Sequence, residues 1–174
     1  MECLPSRAVA VLRTLGLLSC LLGAAALAGC NSKYDDCKAS IDTINTTVDK
    51  INKSAIGSKD ARESAKQYKE FATTIRAEGE KIAAMSIKTE TLKGYVEAYG
   101  EMAKEAAAAA AAMAAVLDEL ASLQEQAEKE PSQELVQKAQ DLQKKIDEAK
   151  DALDQVIAKE DPLVDKINTF CEAK

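Results

Sequence analysis

The chain has 174 residues, a net charge of −6, 30% charged residues, three prolines, and neither histidine nor tryptophan. Lack of histidine removes the commonest general base and the commonest transition-metal ligand, and the acidic balance argues against nucleic acid or anionic headgroups, which select Lys and Arg patches. A composition dominated by Ala, Lys, Glu, Gln, Asp and Leu, with little aromatic content, reads as helix or coiled coil in a single domain able to bury its own core.

Residues 1–29 have the three parts of a secretory signal: Arg7 and Arg13, an apolar stretch from Leu15 to Leu27, and small residues before a cut. That stretch falls short of the ~20 residues a spanning helix needs, and no later stretch reaches this length without charges, so no transmembrane anchor is expected. The next feature is Leu27-Ala28-Gly29-Cys30, which resembles the lipobox of bacterial lipoproteins. The resemblance covers residues 1–31 only and suggests no functional family for residues 30–174. It implies a diacylglyceryl thioether on Cys30, cleavage between Gly29 and Cys30, and acylation of the freed amine; a plain secretory signal is the alternative. One acyl chain anchors marginally and two or three anchor stably, which makes the lipid bilayer a partner. Asn31, where an Asp would favour inner-membrane retention, points to the outer membrane facing the periplasm. The leader carries Arg7 and Arg13 against Glu2, so residues 30–174 hold a net −7.

Cys3 and Cys20 would leave with the leader and Cys30 would carry lipid, so Cys37 and Cys171 remain. Export places them in an oxidising compartment. A redox-active or partner-linking thiol pair is one reading; an intramolecular disulfide stapling the two ends of the domain is the favoured one. Closing so long a loop is worth on the order of 5 kcal/mol in chain entropy.

The first predicted helix runs from about residue 33 to 55 on an a/d stripe of Tyr34, Cys37, Ile41, Ile44, Val48, Ile51 and Ala55. Gly57 offers a left-handed stop, and Asp60 with Glu63 offers a capping box for a second helix at about 60–85, striped by Ala61, Ala65, Tyr68, Ala72, Ile75, Ile82 and Met85, with Phe71 beside it. Ser86 to Thr89 reads as a tight turn with Thr89 as cap, although the phase could also pass through it unbroken. The third helix, about 90–128, carries Leu92, Tyr95, Tyr99, Met102, Ala106, Ala109, Met113, Val116, Leu120 and Leu123. The seven alanines Ala106–Ala112 in its middle read as a place of close helix approach. Pro131 forces a turn, and the fourth helix, about 132–173, is striped by Leu135, Ala139, Leu142, Ile146, Ala149, Leu153 and Val156. Its seam continues in phase through Leu163, Ile167 and Phe170, with Pro162 either breaking or kinking it; collinear segments are expected.

Four stripes on short connections predict an all-α fold, an antiparallel up-down four-helix bundle or coiled coil. Helices of about 40 residues reach ~60 Å against ~35–40 Å for the first two, so a projecting hairpin of the third and fourth helices is expected, with a polar tip at Gln124–Gln137. No Gly-rich phosphate loop, calcium loop or metal set is present, so no cofactor and no enzymatic activity are expected. Asp35-Asp36 reads as a solvated charge pair at a helix start. Tyr68, Phe71, Tyr95 and Tyr99 are candidates for a small apolar pocket between the second and third helices, with ordinary core packing as the alternative. The C-terminal Lys174 resembles that of the murein lipoprotein of enteric bacteria, which implies a peptidoglycan tether as a further alternative. The expected function is therefore a spacer or docking module for an envelope protein, or a carrier of a small apolar ligand.

Overall fold

The computed structural model describes residues 20–54 and 56–173, with side chains from Ser32 onward; the leader arginines, the Cys30 side chain and Lys174 lie outside that range. Among the described residues there are five helices and no strand: α1 (Cys20–Asn52), α2 (Ala61–Ala83), α3 (Glu90–Lys129), α4 (Gln133–Ile157) and α5 (Glu160–Glu172). The all-helical class follows from the composition as expected. Two boundaries differ: α1 starts at Cys20, upstream of residue 33, and the last predicted helix is two.

Local chemistry accounts for most of the stops and starts. Gly57 sits at φ 146°, a backbone conformation costly for any residue with a Cβ. Asp60 caps α2 by accepting the Glu63 amide at 2.8 Å, while its own amide donates to the Ser58 hydroxyl instead of to Glu63. Ser132, after Pro131, caps α4 by accepting the Leu135 amide. The helix break lies at Ala158–Lys159, ahead of Pro162. Proline has no amide for the carbonyl four residues back, and its ring collides with that carbonyl, so the ladder opens one turn upstream and Pro162 occupies the first turn of α5.

Helix α3 is the central element, packed against α2, α4, α5 and more lightly α1. Along α2 and α3, Arg62 pairs with Glu125, Gly79 meets Ala103, and Ala83 meets Gly100, so contacts climb one helix as they descend the other. The α3–α4 side shows the same trend in Lys145–Glu119 and Lys159–Glu105. Small residues allow the approach: a Cβ on Gly79 would come within 2.7 Å of the Ala103 Cβ, and Ala106, Ala107 and Ala110 are buried. By length and composition α3 could cross a membrane, but its apolar face is packed inside the protein. The Arg62–Glu125 pair also corrects the expected hairpin projection. Helix α2 reaches almost to the C-terminal end of α3, and the first ten residues of α3 extend the opposite way, where Leu92, Val96 and Tyr99 join Cys37, Ile44 and Ile167 in one core cluster.

The α1 stripe is also displaced from expectation. Tyr34 is 65% exposed, whereas Ser40 and Thr47 are fully buried with Cys37 and Ile44. Both hydroxyls are satisfied, Ser40 by the Asp36 carbonyl at 2.8 Å and Thr47 by the Glu78 carboxylate at 3.4 Å, which removes the penalty of burying them. The α4–α5 stripe keeps its phase across the break, with Leu142, Leu153 and Ile167 buried.

Candidate functional site

Helix α1 ends at Asn52 and α4 ends at Ile157, and the two ends face the same stretch of α2 and α3. They leave a cleft of about 350 Å³ walled by Ile51, Phe71, Ile75, Tyr99, Met102, Ala103, Ala106 and Ile157, with Thr47, Asn52, Ser54 and Glu160 as its polar members and Ile56 completing the lining. Phe71 and Tyr99, both named from the sequence, line it. Tyr68 and Tyr95 do not. Tyr68 packs half-buried against the Phe71 and poly-alanine cluster. Tyr95 meets Phe170 edge-on, centroids 6.5 Å apart, where the Lys33 ammonium lies 4.7 Å above the Phe170 ring. The pocket is therefore not between α2 and α3, whose backbones are too close for one; it opens where α1 and α4 both run out.

Within the cleft the Tyr99 hydroxyl donates to Glu160 Oε1 at 2.7 Å. Burial, and then the adjacent carboxylate, push ionisation of the phenol far above its ordinary range, so Tyr99 remains a neutral donor. Glu160 is the only carboxylate or cationic residue in the lining. Its neighbour Lys159 is engaged by Glu105 at 2.5 Å. The site offers apolar walls, two aromatic rings and one hydrogen-bonded acid. It holds no cysteine or histidine, and among the described residues no three metal-type ligands converge anywhere.

Two acids that are buried, unlike the half-buried Glu160, act on the fold. Asp36, read from the sequence as part of a solvated pair, is buried. Its Oδ2 accepts the amides of Lys88 and Thr89 at 3.0 and 2.9 Å and the Thr89 hydroxyl at 2.8 Å. Thr89 occupies the N-cap position of α3 without capping through its own side chain; the carboxylate from α1 instead satisfies the amide and hydroxyl of that N-cap residue and complements the helix dipole. Burial would raise the Asp36 pKa, but the Thr89 and Lys88 hydrogen bonds and the Lys88 charge outweigh it and hold the carboxyl below its ordinary value. Glu78 is buried on α2 and bound by Lys81 at 2.5 Å and Lys50 of α1 at 3.0 Å. The Lys81 hydrogen bond, against burial and with help from Lys50, lowers its pKa. No sequence pattern links Asp36 to residues 88 and 89, so only the fold reveals this cap.

Cys37 and Cys171 stand in disulfide geometry with Cα atoms 5.6 Å apart, and beside them Lys33 donates to the Ala173 carbonyl at 2.5 Å. The α3–α4 tip carries a feature its polar sequence hides. Leu120, Leu123, Ala127, Pro131, Leu135, Val136 and Ala139 line a groove of about 210 Å³, and Val136 is 58% exposed. The chain matches no family model, no curated protein and no solved structure.

Proposed function

We propose that this is a non-enzymatic lipoprotein of the bacterial cell envelope. Acylated Cys30 anchors it to the outer membrane, facing the periplasm, and its helices form an antiparallel up-down bundle that docks an envelope protein at the α3–α4 tip. The observation that supports this most is the tip groove: exposed Val136 and half-buried Leu135 flank a pocket sized for one or two apolar side chains, and exposed apolar surface ringed by charged residues marks contact sites. The pairing of Cys37 with Cys171 places the described C-terminus beside the start of the domain, which leaves the opposite end free. A peptidoglycan tether through Lys174 gains nothing from this arrangement, because Ala173 lies at the same end as Lys33.

Deleting residues 124–137 while joining the helices with a short turn should leave helix content intact and remove co-purifying envelope partners; an unchanged partner set would refute tip docking. Independently, Cys30→Ser should shift the protein from the membrane to the soluble fraction, and unaltered membrane association would refute anchoring through that residue.

A further inference from the structure

The cleft and the tip groove are separate surfaces, and the cleft has chemistry that tip docking does not use. Its walls are aliphatic and aromatic, and its one charged group is Glu160. A carboxylate offers about four acceptor positions, of which the Tyr99 hydroxyl occupies one. Lys159, next to Glu160 in sequence, is committed to Glu105, and no lysine or arginine belongs to the cleft lining. An acid facing apolar walls calls for a cationic donor, and the faces of Phe71 and Tyr99 attract cations as well. The volume of about 350 Å³ lies at the small end of the roughly 300–1,000 Å³ of ligand sites, which suits a compact molecule.

We propose that the cleft at the ends of α1 and α4 binds a small apolar amine, with its ammonium on Glu160 and its hydrocarbon body against Phe71, Ile75 and Met102. Glu160 is the specificity-determining residue and Tyr99 positions it. The ligand enters past Ile56 and Ile157, which are 37% and 44% exposed. This site stands whether or not the tip docks a protein.

The test uses the full chain in phosphatidylcholine nanodiscs and isothermal titration, with the signal of empty nanodiscs subtracted. The probes are 4-phenylbutylamine, 4-phenylbutan-1-ol and 4-phenylbutanoate, which share a body and differ in head group. The amine should bind at least tenfold tighter than the alcohol, and the carboxylate should show no binding. Glu160→Gln keeps an oxygen acceptor for Tyr99, so it should fold as the parent does. It should bring the amine down to the affinity of the alcohol while leaving the alcohol within twofold. Glu119→Gln, on α3 and outside the cleft lining, should change neither. Equal binding of amine and alcohol by the parent chain, or no binding of either, overturns the proposal whatever the variants do; so does a Glu160→Gln protein that retains the amine preference.

Discussion

Replacing Gly79 by alanine puts the close approach of α2 and α3 under direct test. In an exposed helix interior Gly→Ala gains about 0.8–1 kcal/mol, because glycine loses the most backbone freedom on folding. At Gly79 the added Cβ would lie 2.7 Å from the Ala103 Cβ, well inside the ~3.5–4.0 Å optimum for carbon contacts. Both atoms are fixed to helix backbones, so relief requires α2 and α3 to move apart along the buried alanine face. Overpacking of this kind costs about 1–3 kcal/mol. Gly94 supplies the reference, since a Cβ there meets nothing within 4 Å and Gly94→Ala keeps the full propensity gain. The difference between the two variants cancels propensity and leaves packing. Gly79→Ala should melt below Gly94→Ala by roughly 2–4 °C per kcal/mol of that strain in a domain of this size. Adding Ala103→Gly to Gly79→Ala should recover part of the loss as a positive coupling in a double-mutant cycle. Thermal melts by circular dichroism read all five proteins: the parent, Gly79→Ala, Gly94→Ala, Ala103→Gly and the Gly79→Ala/Ala103→Gly pair. Equal melting of the two alanine variants would show that α2 and α3 do not approach as closely as described.

Asp36→Ala leaves the Lys88 and Thr89 amides and the Thr89 hydroxyl without their acceptor, which should cost about 2–4 kcal/mol in urea unfolding at pH 7. Because the folded Asp36 carboxyl titrates below the ordinary value of an aspartate, its contribution is complete above that ordinary value and is lost as pH falls through the lower, folded value. The stability gap between parent and variant should therefore shrink only in strong acid; a gap that instead closes near neutral pH would refute the cap. Thiol-blocked protein should give an intrachain Cys37–Cys171 link by non-reducing mass analysis, and Cys171→Ser should lower stability by up to about 5 kcal/mol through the freed loop. Free thiols or a linked dimer would remove the staple.

Periodicity and end signals were enough to read much of the fold. Asp60, Ser132 and Pro131 mark helix ends by their own short-range chemistry, and the α4–α5 stripe keeps its phase because one face of both segments rests on α3. The seven alanines likewise announce close packing through their size alone. Errors arose wherever burial was decided by partners distant in the chain. Tyr34 and Ser40 trade places relative to an apolar count, since a serine whose hydroxyl bonds the carbonyl four residues back is as easily buried as a small apolar residue. Asp36 could not be separated from Asp35 without knowing that the start of α3 lies against it. The break at Ala158 was displaced because a proline disturbs the carbonyl upstream of itself. The cleft depends on α1 and α4 ending at one level, a matter of helix register that no single stripe records.

These ties also bear on how an anchored protein would carry force. The inner face of α1 is thin in hydrocarbon: Ser40 and Thr47 occupy positions where a bundle helix usually places leucine, so apolar burial alone holds it weakly. Three polar or covalent ties compensate, each reaching a different element. Cys37 joins α5, Asp36 caps α3, and Lys50 bridges to Glu78 on α2. If Cys30 is the lipidated residue, any pull on the anchor enters the fold through α1 and meets Asp36 and Cys37 within two turns. The load then passes to α3 and α5 before it reaches the Ile44 packing. Loss of the disulfide should therefore weaken the attachment of α1 far more than that of the α3–α4 hairpin. Hydrogen exchange after reduction distinguishes the two, with amides of α1 and α5 losing protection ahead of those in α3.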